Sequence, residues 1–444
     1  MNYFLEKLKN LKNKKFVQDV FTLQLGAIFS TGLAFLVSVV LARILGANLY
    51  GQYSLIFAFA ALLCTFTDVG EHYATITMMA ESYAKKDATE IKNILTYFLK
   101  ISLIIFGALG LILIVFSPYI SEIMYGDFSL GQASRYVVLA TLLTFGFSFY
   151  SIVLQVTRRI KNLTIFENIN KIVHSLLPIL LVLLGFKLWG VIFGNLLSSV
   201  IFLAISVIAY SLITKRDSML PKIIDLFKNF KQISIRKYFN FGFLVSVDKN
   251  LAKLYSILPI IFMGYFVGNS AIAQFKIASS YILIPFTLMS PISRLLIVQL
   301  PKSKVMGFDY LKKHYYRVTL LSPLILIIVL IPFLFVAPYL VKIFYGSEFA
   351  PSVNLIYWLV PQALINSLGV GFGPIYRTIN KVKYAIISNL TTLICGSVIG
   401  FLAIKNFGVK GGILMLTAFV AISTLFNLYL INKFLKKLTP PQNN

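Results

Sequence analysis

Two lysines, Lys249 and Lys253, stand one helical turn apart in an otherwise apolar stretch of the sequence. If this stretch is a membrane helix starting near Phe239, a rise of 1.5 Å per residue places them about 15 and 21 Å from its start. Ammonium groups at positions i and i+4 share a helix face and repel each other, so an anionic group is expected against them. A pyrophosphate suits this pair. Pairing with carboxylates elsewhere in the chain and snorkelling to the membrane surface are the alternatives.

Titratable side chains of another kind lie in two apolar stretches. Asp68, Glu71 and His72 are spaced i, i+3 and i+4, which would put them on one face of a helix. Asp248 directly precedes Lys249 and points about 100° away from it on a helix. Inside a membrane such groups can carry protons or bind a coupling cation. For the first three, the alternative is a gate or ion-pair site in which Asp68 shapes the end of the helix.

Two more basic residues complete the set of candidate binding groups. Arg294 follows Pro285 and Pro291 near the predicted cytoplasmic end of a membrane helix, where it either admits a phosphate headgroup or anchors the helix. Lys276 lies one or two turns into the same helix from the other side, within reach of water or of a cavity. The sequence contains no spacing typical of metal ligands, phosphate-binding loops or nucleophile elbows. Neither a metal site nor catalysis is therefore predicted.

The composition indicates what kind of scaffold positions these groups. Of 444 residues, 58% are hydrophobic and only 13% are charged, against roughly 45–50% and 25% in soluble domains. The apolar residues form blocks of about 20, the length of a helix that crosses a bilayer. These blocks are apolar on all sides, whereas barrel strands alternate. We therefore predict an all-α integral membrane protein. The net charge of +26 is spread between the blocks, which argues against nucleic acid as a partner.

Basic residues mark one set of loops and not the other. The seven segments on one side of twelve predicted membrane helices hold 29 Lys and Arg residues, whereas the six loops on the other side hold four. Cytoplasmic loops carry such an excess, so both termini are predicted to be cytoplasmic. The first apolar block is too long for a signal peptide and is interpreted as a retained helix. The predicted helices are residues 18–43, 50–78, 94–116, 132–157, 165–186, 189–213, 239–263, 270–297, 315–337, 350–376, 383–404 and 407–432.

Part of the sequence recurs about 220 residues further along the chain. The segments Ser117–Gly126 and Ala337–Gly346 share five of ten residues, which indicates a duplication. Six helices per copy give both copies the same orientation, so we expect two six-helix lobes related by an axis along the membrane normal. The predicted division is a cytoplasmic tail at 1–17, a lobe at 18–213, an amphipathic cytoplasmic linker at 214–238, a lobe at 239–432 and a cytoplasmic tail at 433–444.

Several short motifs occur in the order and spacing of a known family. They are Ala42–Gly46 followed by Tyr50–Tyr53, Asp68–Gly70, Arg158–Asn162 and the pair Asp248 and Lys249. Together they resemble the Wzx-type flippases of polysaccharide repeat units (O-antigen or capsule). These belong to the MATE-like multidrug/oligosaccharidyl-lipid/polysaccharide exporter superfamily. The resemblance covers nearly the whole chain, and it implies a MATE-like fold.

The resemblance also implies a function. It is the translocation of undecaprenyl-pyrophosphate-linked oligosaccharides from the inner to the outer leaflet of the bacterial cytoplasmic membrane, by alternating access, for cell-surface polysaccharide biosynthesis. No cofactor is expected beyond a coupling proton or sodium ion. Membrane lipid is an expected partner, and a polysaccharide polymerase and a chain-length regulator are candidate partners. The candidate substrate-binding residues are Lys249, Lys253, Arg294 and Lys276, and the candidate coupling or gating residues are Asp68, Glu71, His72 and Asp248.

Two other function classes predict different sequences. A MATE-like, cation-coupled exporter of small cationic molecules would need an acidic or aromatic cavity, which the stacked lysines disfavour. A membrane glycosyltransferase or a polysaccharide polymerase would need a large external loop or a cytosolic catalytic domain. No predicted outer loop exceeds roughly 15 residues, the length above which a loop without secondary structure is usually functional or disordered. We therefore expect a transporter rather than an enzyme, with the small-molecule exporter as the alternative.

Overall fold

A computed structural model describes residues 15–379 and 381–437, and every long element within them is a helix. In the first half of the chain, two short π-helical turns, Phe106–Gly110 and Val182–Phe186, each join two α-helices end to end. The α-helices of this half are α1 (Lys15–Thr65), α2 (Glu71–Ala84), α3 (Ala88–Ile105), α4 (Leu111–Tyr125), α5 (Phe128–Leu143), α6 (Phe145–Val156), α7 (Ile160–Leu181), α8 (Lys187–Thr214) and the short α9 (Ile223–Lys228).

The second half of the chain begins with three long helices and continues with shorter pieces. A π-helical turn at Val341–Tyr345 and 3₁₀ turns at Ser347–Phe349 and Leu368–Gly371 separate some of these pieces. The α-helices are α10 (Ile235–Phe266), α11 (Asn269–Val305), α12 (Phe308–Leu340), α13 (Pro351–Trp358), α14 (Val360–Ser367), α15 (Phe372–Thr378), α16 (Val382–Phe407) and α17 (Val409–Lys437).

Apolar length makes this a multi-pass membrane protein. Within the described residues, seven helices or end-to-end helix pairs are long and apolar enough to cross a bilayer. An eighth is added if the pair Ser347–Trp358 and Val360–Thr378, bent by 43°, forms one span. The stretch Ile160–Thr214 contains two of the predicted spans, 165–186 and 189–213, and Ile28–Thr65 covers parts of two others. The all-helical membrane fold is confirmed, while the number twelve stays a prediction.

Polar side chains and glycines explain where several helices begin and end. The Asp87 carboxylate accepts a hydrogen bond of 2.9 Å from the Glu90 N–H and caps the beginning of α3. Asp127 does the same for α5, with Ser129 and Leu130 as donors. These carboxylates satisfy N–H groups that have no partner within the helix. The left-handed Gly126 ends α4 just before the second cap.

The chain divides into two compact units, which are described separately. Unit 1 comprises Met1–Val37 and Leu63–Val247, and unit 2 comprises Ser38–Leu62 and Asp248–Asn444. The core of unit 1 is built mainly from α3, α6 and α8, with Phe98, Ile152 and Tyr210 almost fully buried. A second cluster, in unit 2, joins α11, α12, α15 and α17. The predicted lobes at 18–213 and 239–432, and the duplication that relates them, stay predictions.

The predicted cytoplasmic linker is mostly non-helical and is held against α3 within unit 1. Of residues 214–238, only Thr214 at the end of α8, the helix α9 and the first residues of α10 are α-helical. The Lys100 ammonium donates hydrogen bonds of 2.7 and 2.8 Å to the carbonyls of Phe230 and Ile233. The Glu90 carboxylate accepts a further one of 2.9 Å from Lys237. The Lys100 ammonium is therefore satisfied by carbonyls of the linker.

Candidate functional site

The predicted charged segment of the seventh membrane helix is helical and lies in α10, in unit 2 from Asp248 onward. The Asp248 carboxylate accepts a hydrogen bond of 2.8 Å from the Asn389 side chain of α16. Lys249 is half-buried. Lys253 is exposed, and its ammonium donates to the Asn250 side chain at 3.2 Å. The two lysines therefore stand on one helix as predicted, and their role in binding stays a prediction.

Asn389 is a functional candidate that sequence reasoning missed. Besides binding Asp248, its backbone carbonyl and side-chain oxygen accept hydrogen bonds of 2.9 and 3.1 Å from the Tyr255 hydroxyl. This network joins α10 to α16 through polar groups inside an apolar pair of helices. The one available signal was an amide side chain within the apolar run 385–399. Its partners are more than 130 residues away, so the sequence could not identify them.

A cavity of about 440 Å³ lies inside unit 2. Its walls come from α10, α11, α14, α17 and the turn that leads into α15. Most of the lining is apolar, as in pockets that enclose organic ligands, and the lining residues that the structure describes include no aspartate or glutamate. The polar groups of the lining are hydroxyls, amides and one ammonium group, supplied by Tyr255, Ser256, Lys276, Ser279, Ser280, Gln362, Asn366, Ser423 and Thr424.

Lys276 provides the only charge among the described residues that line this cavity. It belongs to α11, its side chain is partly buried, and Gln362 and Asn366 of α14 also line the space. Among the described residues, none forms a hydrogen bond or an ion pair with its ammonium group. Removing a charge from water without a partner is costly, and an anion or a cluster of oxygen acceptors lowers this cost. The cavity is thus chemically suited to an anionic or strongly polar guest.

The stacked lysines of α10 are adjacent to this cavity along the helix. At 100° per residue, Ser256 is only about 20° from Lys249 around the helix axis, and Ala252 is about 60° away. Both Ala252 and Ser256 line the cavity. The Ser256 hydroxyl also donates a 2.9 Å hydrogen bond to the Lys253 carbonyl. Lys276 lies in the cavity wall. Lys249 precedes the lining residues of α10, and Lys253 lies between two of them without lining the cavity itself.

The prediction that Asp68, Glu71 and His72 share one helix face is wrong. α1 ends at Thr65 and α2 begins at Glu71, so Asp68 lies in the break between them. Its carboxylate accepts a 3.2 Å hydrogen bond from the Gly70 N–H. Glu71 and His72 are neighbours in the first turn of α2, about 100° apart. This geometry fits the alternative interpretation, in which Asp68 shapes the end of a helix.

The close approach of α10 explains the break. Gly70 has a φ of 83°, and a Cβ atom there would lie 1.9 Å from the carbonyl oxygen of Gly242. Only glycine combines this left-handed backbone with so short a contact. Both glycines belong to unit 1. The role of Asp68, Glu71 and His72 in coupling or gating stays a prediction.

Arg294 lies in α11, but its side chain is outside the described residues. Its predicted role as an entry point for a phosphate headgroup therefore stays a prediction. The side chain of the neighbouring Pro291 also lies outside the described residues, whereas Pro285 is buried in α11.

The first-loop motif performs a structural role within unit 2. α1 is kinked at Gly46, which has a φ of 71°, and the kink leaves the Ala47 N–H available. The Glu348 carboxylate accepts a 3.0 Å hydrogen bond from this N–H. The Arg43 guanidinium donates to the carbonyls of Ile343 and Phe344. These contacts join the segments 38–62 and 341–349, which we call the kink clasp.

Comparison with known proteins agrees with this architecture. An inward-facing multidrug resistance MATE transporter of the MOP superfamily shares 14% identity with this chain over 92% of it and 96% of that protein, with a TM-score of 0.69. The lipid II flippase MurJ, in an inward closed conformation, shares 17% identity over 92% and 87%, with a TM-score of 0.63. A MOP superfamily transporter from Pyrococcus furiosus, described as having a binding pocket of reverse polarity, shares 15% over 95% and 96%, with a TM-score of 0.61. The MATE-like fold is thereby confirmed.

The sequence adds family membership to this likeness in fold. No curated protein matches the chain significantly. The family described as polysaccharide biosynthesis protein matches residues 16–297, which is well over half of the chain. The expectation of a transporter rather than an enzyme is confirmed by the family and the structural neighbours together. The chain therefore belongs to the polysaccharide biosynthesis protein family.

Proposed function

We propose that this protein is a flippase that moves undecaprenyl-pyrophosphate-linked oligosaccharide repeat units from the inner to the outer leaflet of the bacterial cytoplasmic membrane. One observation carries the proposal. Among its described lining residues, the cavity of unit 2 has a single charged group, the ammonium of Lys276, and no carboxylate. A phosphate is the anion that such a lipid-linked sugar carries. Membership of a polysaccharide biosynthesis family supports the same class of substrate.

The alternative, a MATE-like exporter of cationic compounds, fits this cavity less well. An organic cation would be attracted by a carboxylate, whereas the Lys276 ammonium repels it. The structural likeness to MATE transporters is a likeness of fold at 14% identity, and one fold hosts several substrates. The lipid II flippase among the neighbours is an example in which this fold moves a lipid.

The residues divide the proposed task between them. Lys276 would bind phosphate oxygens, while hydroxyl and amide groups such as Gln362 and Asn366 would hydrogen-bond sugar hydroxyls. Lys249 and Lys253 would attract the headgroup along the exposed face of α10, with Arg294 as a further contact. Charge-assisted hydrogen bonds of this type are stronger than neutral ones. The lipid tail would stay in the bilayer, because only the headgroup is too polar to cross unaided.

Coupling to a proton or sodium gradient is a second part of the proposal. Asp248 is the preferred site, since it is a carboxylate inside a membrane helix whose partner is a neutral amide at 2.8 Å. Glu71 and His72 at the beginning of α2 are the other candidates. Cytoplasmic termini, O-antigen or capsule as the product, and cooperation with a polymerase and a chain-length regulator complete the proposal.

The proposal is tested in cells that depend on this protein for a surface polymer. We expect Lys276→Gln to reduce export about 10- to 100-fold, because a charge-assisted interaction contributes roughly 1.5–3 kcal/mol. Lipid-linked repeat units should then accumulate on the inner leaflet, as measured by extraction and leaflet-specific labelling. Lys276→Arg keeps the charge and should retain part of the activity. Lys342→Gln is the matched control, because it removes an exposed lysine that does not line the cavity.

Two outcomes would contradict the proposal. Normal export by Lys276→Gln at an unchanged protein level would show that the Lys276 ammonium does not bind the substrate. Loss of tolerance to cationic drugs on deletion of the protein, with no accumulation of lipid-linked sugar, would favour the small-molecule exporter.

A further inference from the structure

One face of α12 combines cations with an aromatic ring near the beginning of the helix. Lys313 and Arg317 are spaced i and i+4, both are exposed, and no described residue forms a hydrogen bond or ion pair with either. We call the groove on this face the α12 groove. It has a volume of about 300 Å³ and is lined by Tyr310, Lys313, His314, Arg317, Val318 and Leu321.

The described residues of unit 2 leave this face uncovered. The buried side of α12 is formed by residues such as Leu311, Tyr315 and Leu326, which are at most 1% exposed. Tyr310, by contrast, is 50% exposed. His314 is tied to α11, because its Nδ1 atom lies 3.0 Å from the Ser303 hydroxyl. The groove therefore has a fixed floor and two cations that remain available to a ligand.

Apolar side chains continue the groove along the helix. Leu321, Leu324 and Ile328 are 45%, 56% and 71% exposed. At 1.5 Å per residue, Ile328 lies about 16 Å beyond Arg317. The hydrocarbon of one leaflet is about 15 Å thick, which is half of the bilayer core. A ligand that fits the whole surface has an anionic head and an apolar tail of about this length.

We propose that the α12 groove binds an anionic phospholipid of the cytoplasmic leaflet. The phosphate lies between Lys313 and Arg317, Tyr310 packs beside the headgroup, and the acyl chains follow Leu321 to Ile328. Soluble phosphate would use the two cations but leave the apolar continuation unoccupied. A zwitterionic lipid would use the apolar continuation but gain less from the cations, because its own ammonium group opposes them. The site is separate from the cavity that contains Lys276.

The test uses the purified full-length protein in detergent with three probes, namely phosphatidylglycerol, phosphatidylcholine and inorganic phosphate. Binding is followed by native mass spectrometry and by the shift of the thermal unfolding midpoint. Each basic residue near an anionic membrane surface contributes about 1 kcal/mol. The double substitution Lys313→Ala with Arg317→Ala should therefore weaken phosphatidylglycerol binding roughly 30-fold. Binding of phosphatidylcholine should change little.

Two control proteins make the result specific. Lys215→Ala with Arg216→Ala removes the same charge from the exposed turn that follows α8 and should leave binding unchanged. Lys313→Arg with Arg317→Lys keeps both charges and should bind like the unmodified protein, which also controls for folding. The proposal is overturned if the alanine pair at 313 and 317 binds phosphatidylglycerol normally. It is equally overturned if the α8 control loses binding to the same extent, or if inorganic phosphate alone reproduces the stabilisation.

Discussion

The kink clasp and the cavity, both in unit 2, differ in whether their basic residue has a hydrogen-bond partner in the protein. In the kink clasp, the Arg43 guanidinium donates to the backbone carbonyls of Ile343 and Phe344. In the cavity, the Lys276 ammonium has no hydrogen bond or ion pair with any described residue. Glu348 of the clasp is likewise engaged, by the Ala47 N–H. The charged groups of the clasp have hydrogen-bond partners in the protein, while the Lys276 ammonium of the cavity is available to a ligand.

The presence or absence of a protein partner distinguishes structural from functional charges better than membership of a sequence motif does. Arg43 lies in a family motif, and Lys276 does not. A motif can mark a residue that holds the fold, because a buried or bent backbone needs a partner for each free N–H and carbonyl. A charge in a cavity without a protein partner destabilises the fold, so it is retained for a ligand. The clasp should therefore govern stability, and the cavity should govern transport.

The largest expected effect concerns the helix contact beside the clasp. A Cβ atom at Gly51 would lie 1.8 Å from the backbone carbonyl oxygen of Asn269. Because backbone atoms cannot move aside cheaply, Gly51→Ala should lower the free energy of unfolding by about 3–5 kcal/mol, measured by thermal or denaturant unfolding in detergent. Gly32→Ala in the same helix is the control, since nothing lies within 4 Å of its added Cβ. It should be neutral or stabilising.

A Gly51→Ala protein as stable as Gly32→Ala would show that segment 38–62 does not pack against α11 as described.

The next effect compares the two basic residues directly. Arg43→Gln should lower the free energy of unfolding by about 1.5 kcal/mol, because it removes hydrogen bonds to a charged donor. Lys276→Met should leave stability unchanged or raise it, because it removes a charge without a protein partner. Both are measured as shifts of the thermal unfolding midpoint without substrate. If Lys276→Met is more destabilising than Arg43→Gln, the distinction between a structural Arg43 and a functional Lys276 is contradicted.

A smaller effect is expected at the network that joins α10 and α16. Asn389→Ala should cost about 1 kcal/mol of stability, because it removes the neutral donor to Asp248. Asp248→Asn should keep the fold, since an amide oxygen accepts the same hydrogen bond. If Asp248 couples transport to an ion gradient, Asp248→Asn should abolish the dependence of transport on pH or sodium. Transport by Asp248→Asn that retains the full dependence would exclude this residue and direct attention to Glu71 and His72.

Local patterns predicted the parts of the structure that depend on local physics. Block length and composition predicted membrane helices, and the apolar context of Lys276 allowed a cavity position. The break at residues 66–70 was missed, because it depends on the contact of Gly70 with Gly242. That contact joins residues about 170 positions apart, so helix periodicity contains no information about it. Glu348 and Asn389 were missed for the same reason.

The most direct measurement is the affinity of the purified protein for a polyprenyl-pyrophosphate oligosaccharide, with Lys276→Gln compared with Lys342→Gln. Loss of one charge-assisted contact predicts roughly 10- to 100-fold weaker binding for Lys276→Gln and unchanged binding for Lys342→Gln. Both proteins should have unfolding midpoints at or above that of the unmodified chain. Equal affinity of the two variants, at equal stability, would contradict the assignment of the cavity to an anionic lipid-linked substrate.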